Sequence, residues 1–523
     1  MSVMAIVLES WWGAATGLLF VLSAAVYLYF LSWYSYWTKR GVPQAEAVFP
    51  FGSVEKEALF GKKRVELQLH EIYKRHRDKP FLGVYALYAP AFLVFDPDLI
   101  RDVLVKDFDA FQDRCIPFDD SEPLNHHLLF LNGSKWKRLR SKLTPAFTSG
   151  KLKMMFETID RCGREMVEVL DDAARREQVV EIRDVSARFT IDVIGSVAFG
   201  VECNCQRNPD AEFRVWGRKL FEFYPSDRVE QLLLAIHPPT AKLFRAFIGR
   251  KDVLKYFEDM VRDTVNYRES NNVERNDFMH MLIQLKNRGF MDDEKSGGAK
   301  AHDDENGNWK LSQGDLAAQA VLFFAAGFET SSTTMSYALY ELALNPEVQR
   351  RLHQEVDETL QRTGGRFTYD AVMGMPYLDK VVSETLRKYP PVAILPRKTT
   401  RPYQIRGTKV VIDKDMGVAV PNYALHHDPK YYPDPERFDP ERFSEEEKAK
   451  RHPYVYLPFG EGPRNCVGMR LGLLQSKIGL AHLMSKIEFQ KCDETEIPIE
   501  FDPLTIVFMP ATGLHLRAKK RSV

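Results

Sequence analysis

Cysteine is scarce, with six in 523 residues, too few for a disulfide framework. Cys203 and Cys205 form a C-x-C, but no second pair stands at zinc spacing, so reduced thiols in a surface loop are expected. A surplus of either charge is also missing. The chain has 72 Lys and Arg against 72 Asp and Glu, so no polyanionic partner is implied and nucleic acid is not expected. No linker divides the chain after residue 70. Length alone would suggest three domains, but the absence of a break predicts one large unit over 66–523, joined to the N-terminus by a short connection over 39–65.

Charge is wholly absent from Ser10 to Thr38. That run exceeds the roughly 20 apolar residues that span a bilayer. A cleaved signal would begin with basic residues and hold a shorter apolar core, whereas Glu9 precedes this run. Trp11, Trp12, Trp33 and Trp37 stand where interfacial aromatics are expected, and Lys39-Arg40 follows. The pattern predicts an uncleaved anchor over 1–38, with the rest of the protein on the cytoplasmic side. The reducing cytosol agrees with the unpaired cysteines.

Chemistry concentrates in Phe459-Gly-Glu-Gly-Pro-Arg-Asn-Cys-Val-Gly468. Cys466 stands between a glycine-rich loop and a helix-like run, Val467 to Ser485. A helix start presents free N–H groups and a positive dipole end, which lower a thiol's pKa and favour the iron-ligating thiolate. Gly460 and Gly462 permit a tight turn, and Gly468 permits close approach of a flat ligand. Arg464 is placed to meet an anionic group on that ligand. A lone Cys is usually a small hydrophobe, so the weight lies in the whole string F-x-x-G-x-R-x-C-x-G. Elsewhere, Ala86 to Asp96 reads as a small hairpin, residues 150–285 as amphipathic helices, and 291–309 as a surface loop. Ser312-Gln-Gly-Asp315 resembles a capping box opening a long buried helix, and Asn345-Pro346 reads as the start of the next. The clusters Phe213, Trp216, Leu220, Phe221, Phe223 and Leu243, Phe244, Phe247, Ile248 read as core packing.

The string at Cys466 resembles the haem-binding loop of the cytochrome P450 family, in which the cysteine is the proximal thiolate ligand of haem iron. Further strings follow in the family's order. The basic helix Gly133-Ser-Lys-Trp136-Lys-Arg-Leu-Arg140 carries W-x-x-x-R, whose Trp136 and Arg140 share a helix face; the resemblance makes them haem-propionate contacts. Lys135, Lys137, Arg138 and Lys142 would then face outward as a docking patch for an acidic partner. Arg114, in Phe111-Gln-Asp-Arg114, and Arg397 align with further cofactor contacts, as do Phe459, Arg464 and Gly468. Ala326-Gly327-Phe-Glu329-Thr330-Ser resembles the distal-helix motif, in which the glycine opens a groove for dioxygen and the acid–alcohol pair Glu329 and Thr330 relays protons. Thr330 could instead bond the carbonyl of Ala326 and only bend the helix. Glu384 and Arg387 form E-x-x-R, joined in the family to an arginine of Pro440-Glu-Arg442-Phe443; Pro435-Glu-Arg437-Phe438 is a nearly identical second string, so Arg437 stays open. Pro390-Pro391 ends that helix, and Val392, Ala393, Ile394 and Leu395 would point at a substrate pocket, with Phe323 and Phe508 as further walls.

The resemblance implies a mainly α fold with small β-sheets, the cytochrome P450 fold, behind an N-terminal transmembrane helix. Haem is the implied cofactor. NADPH would act through NADPH-cytochrome P450 reductase, with cytochrome b5 a second implied donor, at the endoplasmic reticulum membrane. Phe324-Ala-Ala-Gly-Phe-Glu-Thr-Ser-Ser332 and Pro145-Ala-Phe-Thr-Ser-Gly-Lys-Leu-Lys153 resemble insect microsomal enzymes of the xenobiotic-metabolising clan. A monooxygenase acting on lipophilic substrates such as plant toxins or insecticides is the reading this supports. A biosynthetic monooxygenase for a hormone, steroid or fatty acid shares every motif. A haem-thiolate isomerase or dehydratase would not need Glu329-Thr330. A haem electron carrier would need a second axial ligand, for which His126 and His127 are the nearest histidines.

Overall fold

The computed structural model describes residues 3–116, 118, 120–222, 224–236, 238–248, 251–275, 277–289, 309–505 and 507–521; the side chains of 3–10, 225, 228, 235, 236, 238, 245–248 and 251 are not described. The 291–309 loop therefore lies outside the description except for Trp309, as do Phe223 and the side chains of Phe247 and Ile248.

The uncharged N-terminal run forms helix α1 (Val3–Trp33). Its Leu18, Leu19 and Phe20 are each more than 60% exposed, and Trp11–Arg40 is long and apolar enough to cross a membrane. Trp37 does not join an interfacial belt. It is completely buried, and its indole N–H donates to the Val84 carbonyl at 3.1 Å. Glycine at 83 makes this possible, because a Cβ there would stand 2.3 Å from the Trp37 ring. Tyr34 is buried beside it, so the last turns before the basic pair belong to the folded body.

Strands β1 (Phe81–Ala86) and β2 (Ala89–Val94) pair antiparallel. The hairpin thus begins earlier than the Ala86–Asp96 expectation, and Leu87 and Tyr88 make the turn. Pro90 lies within β2 opposite Tyr85 rather than breaking the pair. Helices α2 (Gly133–Leu143) and α3 (Ser149–Arg175), strand β3 (Val179–Glu181) and helix α4 (Ile182–Ile194) follow. Next come α5 (Glu212–Lys219), α6 (Phe278–Asn287) and the long α7 (Gln313–Leu344). Ser312 and Asp315 form the expected capping box at its start. At its end the Asn345 amide donates back to the Glu341 carbonyl at 2.8 Å and does not cap the helix that follows. Helix α8 (Pro376–Lys388) precedes strands β4 (Leu395–Lys398) and β5 (Gly417–Val420), and the short α9 (Asn422–His426) comes after them. Helix α10 (Met469–Lys486), β6 (Ile487–Gln490) and β7 (His515–Lys520) complete the elements used below.

The sheets are small and lie beside the helical body. One runs β1-β2-β5-β4 and another β3-β7-β6. The larger apolar core gathers around α7 and α10, and the smaller one around the first sheet and Trp37. From Ser331 to Ala343, α7 is buried on every side. The aromatic cluster of α5 packs on it: Phe213 meets Phe324 at 4.8 Å and Phe221 meets Phe328 at 5.2 Å. Cys205 is fully buried and Cys203 half-buried, so the C-x-C is not an exposed loop feature.

Candidate active site

The Cys466 loop closes through its own backbone. The Cys466 N–H donates to the Phe459 carbonyl at 2.9 Å. Gly462, with φ near +76°, lies so close to the Leu104 carbonyl that a Cβ would stand 2.0 Å away. At Gly468 a Cβ would meet no protein atom within 4 Å. No neighbour in the chain therefore requires glycine there, whereas a flat group lying on the backbone would.

The helix begins later than Val467. Met469 is its first residue and Gly468 its N-cap. The helix start therefore acts on the sulfur through the Gly468 N–H. The expected lowering of the thiol pKa is not the net result. Cys466 is itself exposed, yet desolvation by the protein packed around the loop pushes its thiol up, against the Gly468 N–H and the guanidiniums of Arg140 and Arg114, and is the larger effect. A coordinated metal ion reverses such a balance, because a ligating thiol is deprotonated outright.

Four arginines from four segments converge around this loop. Arg140 donates to the Asn465 carbonyl and side chain at 2.9 and 2.8 Å. Arg114 donates to the Arg464 carbonyl at 3.2 Å. Arg464 lies over the Trp136 ring at 4.4 Å, and its Nε and Nη1 have no hydrogen-bond partner. Among the described residues Arg397 donates only to the neighbouring Pro396 carbonyl, at 2.8 Å, and its Nε is also unpartnered. Arg397 and Arg464 are each 2% exposed. Among the described residues no carboxylate forms an ion pair with any of the four; Asp113 is the acid that acts on Arg464, and its Oδ1 accepts the Gly133 N–H. Burial foremost, then neighbouring positive charge, pushes Arg397 and Arg464 down to about 9 and Arg114 to about 10, while burial lowers Arg140 as well. A guanidinium stays charged across the physiological range, so this downward push expresses an unmet demand for an anion. A haem with two propionates fits that donor set and the open face at Gly468.

Of the outward patch on α2, Lys135 and Lys137 are exposed and Arg138 is half-buried. Lys142 is buried at 6%. Its position on the helix lies with Trp136, Leu139 and Leu143, on the core side.

On α7, Ala326 is exposed and Thr330 half-buried between buried Phe324, Phe328, Glu329 and Ser331. The Thr330 hydroxyl donates to the Ala326 carbonyl at 2.7 Å. Glu329 turns elsewhere. It is 4% exposed and pairs with Arg183 of α4 at 3.2 Å, and Arg183 also touches the Met509 sulfur. Burial raises the Glu329 pKa against the pull of Arg183. Acid and alcohol therefore do not bond to each other here. Glu329 instead borders a cavity of about 510 Å³ with Arg183, Asp184, Arg214, Phe221 and Met509. Gly327 makes room for α4, since a Cβ would stand 2.6 Å from Ile194 Cδ1; its missing side chain serves helix packing rather than an open groove.

The expected pocket segment divides by the two-residue period of extended chain. Val392 is 45% exposed and Ile394 half-buried, whereas Ala393 and Leu395 turn into the core. Phe508 is fully buried against Tyr423 and Phe501 and cannot present its ring to a pocket. Phe323 is half-buried, stacked on Phe147 at 5.2 Å and edge-on to Phe278 of α6 at 4.3 Å; its position shares a helix face with Ala326 and Thr330.

Glu384 and Arg387 of α8 are fully buried and bonded twice, at 2.7 and 2.9 Å. Arg442 comes within 3.4 Å of Glu384. Arg437 does not reach it; that side chain is 68% exposed beside Asp439. Arg183, Gln475 and His426 are polar contacts of the site that the motifs did not point to. Gln475 of α10 donates to the Gly327 carbonyl at 2.6 Å and to Ser331, joining the helix after Cys466 to the acid–alcohol turn. A lone amide inside an apolar helix was the signal for it; Arg183 carried none.

Comparison with known proteins agrees with this arrangement. The chain is 41% identical to Cytochrome P450 6k1 of Blattella germanica over 95% of both chains. It is 41% identical to Cytochrome P450 6a2 of Drosophila melanogaster over 96% of this chain and 98% of that one. It is 39% identical to Cytochrome P450 6A1 of Musca domestica over 95% and 96%. The family profile described as Cytochrome P450 matches residues 57–517. A thiol in a glycine-turned loop, ringed by arginines that lack anions and followed by full-length likeness to these enzymes, identifies the chain as a member of the cytochrome P450 family.

Proposed function

We propose that this monooxygenase oxidises lipophilic small molecules at a haem held by Cys466, taking electrons from NADPH through a reductase at the endoplasmic reticulum membrane. The observation that carries the reading is the ring of four arginines around the Cys466 loop, Arg397 and Arg464 buried and Arg114 and Arg140 half-buried, with no carboxylate paired to them among the described residues. Haem bound through a thiolate supplies dioxygen activation and transfer of one oxygen atom.

The protein's own residues supply ligation, charge and protons. Arg114, Arg140, Arg397 and Arg464 would hold the two propionates of a bound haem, and Trp136 lies under the Arg464 plane. Thr330 rests on the Ala326 carbonyl and keeps its lone pairs free to accept a hydrogen bond from the distal side. Glu329, raised in pKa by burial, holds a proton more readily than a surface carboxylate and can pass it on from the polar cavity. Glu384, Arg387 and Arg442 brace the segment behind the loop. Ala326, Val392 and Ile394 offer an apolar face, which suits a substrate recognised by shape and hydrophobic contact. Exposed Lys135 and Lys137 on α2 suit an acidic electron donor, the reductase or cytochrome b5, and α1 suits a membrane anchor.

The test is turnover of a panel of plant toxins, insecticides, steroids and fatty acids with reductase and NADPH. Oxidation of several unrelated lipophilic toxins is expected. Turnover confined to one steroid or fatty acid would replace this reading with a biosynthetic one.

A further inference from the structure

The Cys466 loop has an internal brace that passes through a single imidazole. His426 ends α9 and is fully buried. Its Nε2 lies 2.9 Å from the Leu457 N–H, which can only donate. Nε2 must therefore be the bare nitrogen, and Nδ1 carries the proton. Nδ1 lies 3.2 Å from the Arg387 carbonyl, which can only accept. The two partners fix one neutral tautomer.

The contact with Arg387 is reciprocal. Arg387 stands in the last turn of α8 and His426 in the last turn of α9. Helix ends leave carbonyls without intrahelical partners. His426 Nδ1–H satisfies that of Arg387, and Arg387 Nη1 donates to that of His426 at 2.9 Å. The ring also stacks on Tyr456 at 5.4 Å.

From Leu457 the bonds run on into the loop. The Gly460 N–H donates to the Leu457 carbonyl at 3.0 Å, and the Cys466 N–H to the Phe459 carbonyl at 2.9 Å. Leu457 itself is 1% exposed, so its N–H has no access to water if the acceptor is removed. We propose that His426 is the positioning residue for the thiolate loop, carrying the rigidity of the Glu384–Arg387 pair to Leu457 and from there to Cys466. Burial, and then the Arg387 charge, pushes the His426 pKa down to about 3, which keeps the bridge neutral throughout the working range. The inference rests on Cys466 being the haem ligand.

Three substitutions in the full-length haem-loaded enzyme separate the two ends of the bridge. His426→Phe keeps the stack on Tyr456 and removes both bonds. His426→Gln places an amide oxygen near the Nε2 position and so keeps an acceptor for Leu457. His426→Asn places its amide near Nδ1 and serves only Arg387. The readout is the rate at which the reduced carbonyl complex loses its red-shifted thiolate band, with haem content and melting temperature measured alongside. Loss of the band is expected to speed up about ten- to a hundredfold in the Phe and Asn variants, the range for a buried N–H left without its acceptor. The Gln variant is expected to stay within a few-fold of the wild type. Equal rates for Gln and Asn, or a Phe variant that keeps the band as long as the wild type, would overturn the proposal. If the Phe variant does not fold, the contrast between Gln and Asn decides. Absence of a thiolate band in the wild type would instead refute ligation by Cys466.

Discussion

Replacing Arg397 by methionine should move the stability of the loaded and empty protein in opposite directions. Arg397 is 2% exposed, makes one hydrogen bond, to the adjacent Pro396 carbonyl, and leaves its Nε unpartnered. Burial and the Arg114 charge both disfavour its cation. A buried polar group without a partner costs about 1–3 kcal/mol, so removing it relieves the empty protein. The lost bond to Pro396 offsets about 0.5–1.5 kcal/mol of that relief, or somewhat more because the donor is charged. Methionine fills much of the side chain's volume and leaves little cavity. The empty protein should therefore be unchanged or more stable. With haem bound, the same change removes a charge-assisted bond to a propionate, worth about 1.5–3 kcal/mol. That corresponds to roughly ten- to a hundredfold weaker haem retention. Transfer of haem to an excess of a haem-scavenging protein measures the second effect, and urea unfolding of the haem-free protein measures the first. Wild-type haem retention together with an empty protein destabilised by several kcal/mol would refute the reasoning and make Arg397 a packing residue of β4.

Other outcomes are open to the same kind of check. Cys466→Ala should abolish the red-shifted band of the reduced carbonyl complex, because no other cysteine lies in the glycine-turned loop. Thr330→Ala should keep haem and much of the NADPH consumption while product per NADPH falls and peroxide rises. The loss should sit near the lower end of the hundred- to ten-thousand-fold range for general acid catalysis, about a hundredfold or less, and unchanged coupling would mean that the hydroxyl serves only the Ala326 carbonyl. Removing residues up to 32 should release the enzyme from membranes with haem bound, whereas a cut at 38 should unfold part of it, because Tyr34 and Trp37 are core residues; sedimentation with vesicles and haem content distinguish the two. Gly83→Ala should destabilise the protein by about 1–3 kcal/mol through overpacking against Trp37, read as a lower urea midpoint.

Motifs defined by spacing along the chain are legible in the amino-acid sequence alone, because they depend only on near neighbours. The Cys466 loop, the capping box at Ser312, the long helix and the uncharged run all stand on local chemistry, and they lead to the family and the broad fold. Where tertiary structure decided, the deciding partner came from far along the chain. Two nearly identical strings carry Arg437 and Arg442, and only the packing of α8 selects Arg442 for Glu384. Val392 and Ile394 separate from Ala393 and Leu395 because β5 pairs with one end of that segment and fixes its pleat. Phe508 suits a pocket wall by composition, but Tyr423, from a distant segment, and Phe501 enclose its ring. Trp37 suits the membrane boundary by position, yet Gly83, on a strand of the first sheet, gives it a buried site. The thiol's pKa follows the same rule, since the helix start next to it is local and the desolvation by surrounding protein that outweighs it is not. Sequence periodicity states what a residue can do along its own element, and burial depends on what the rest of the chain places against it.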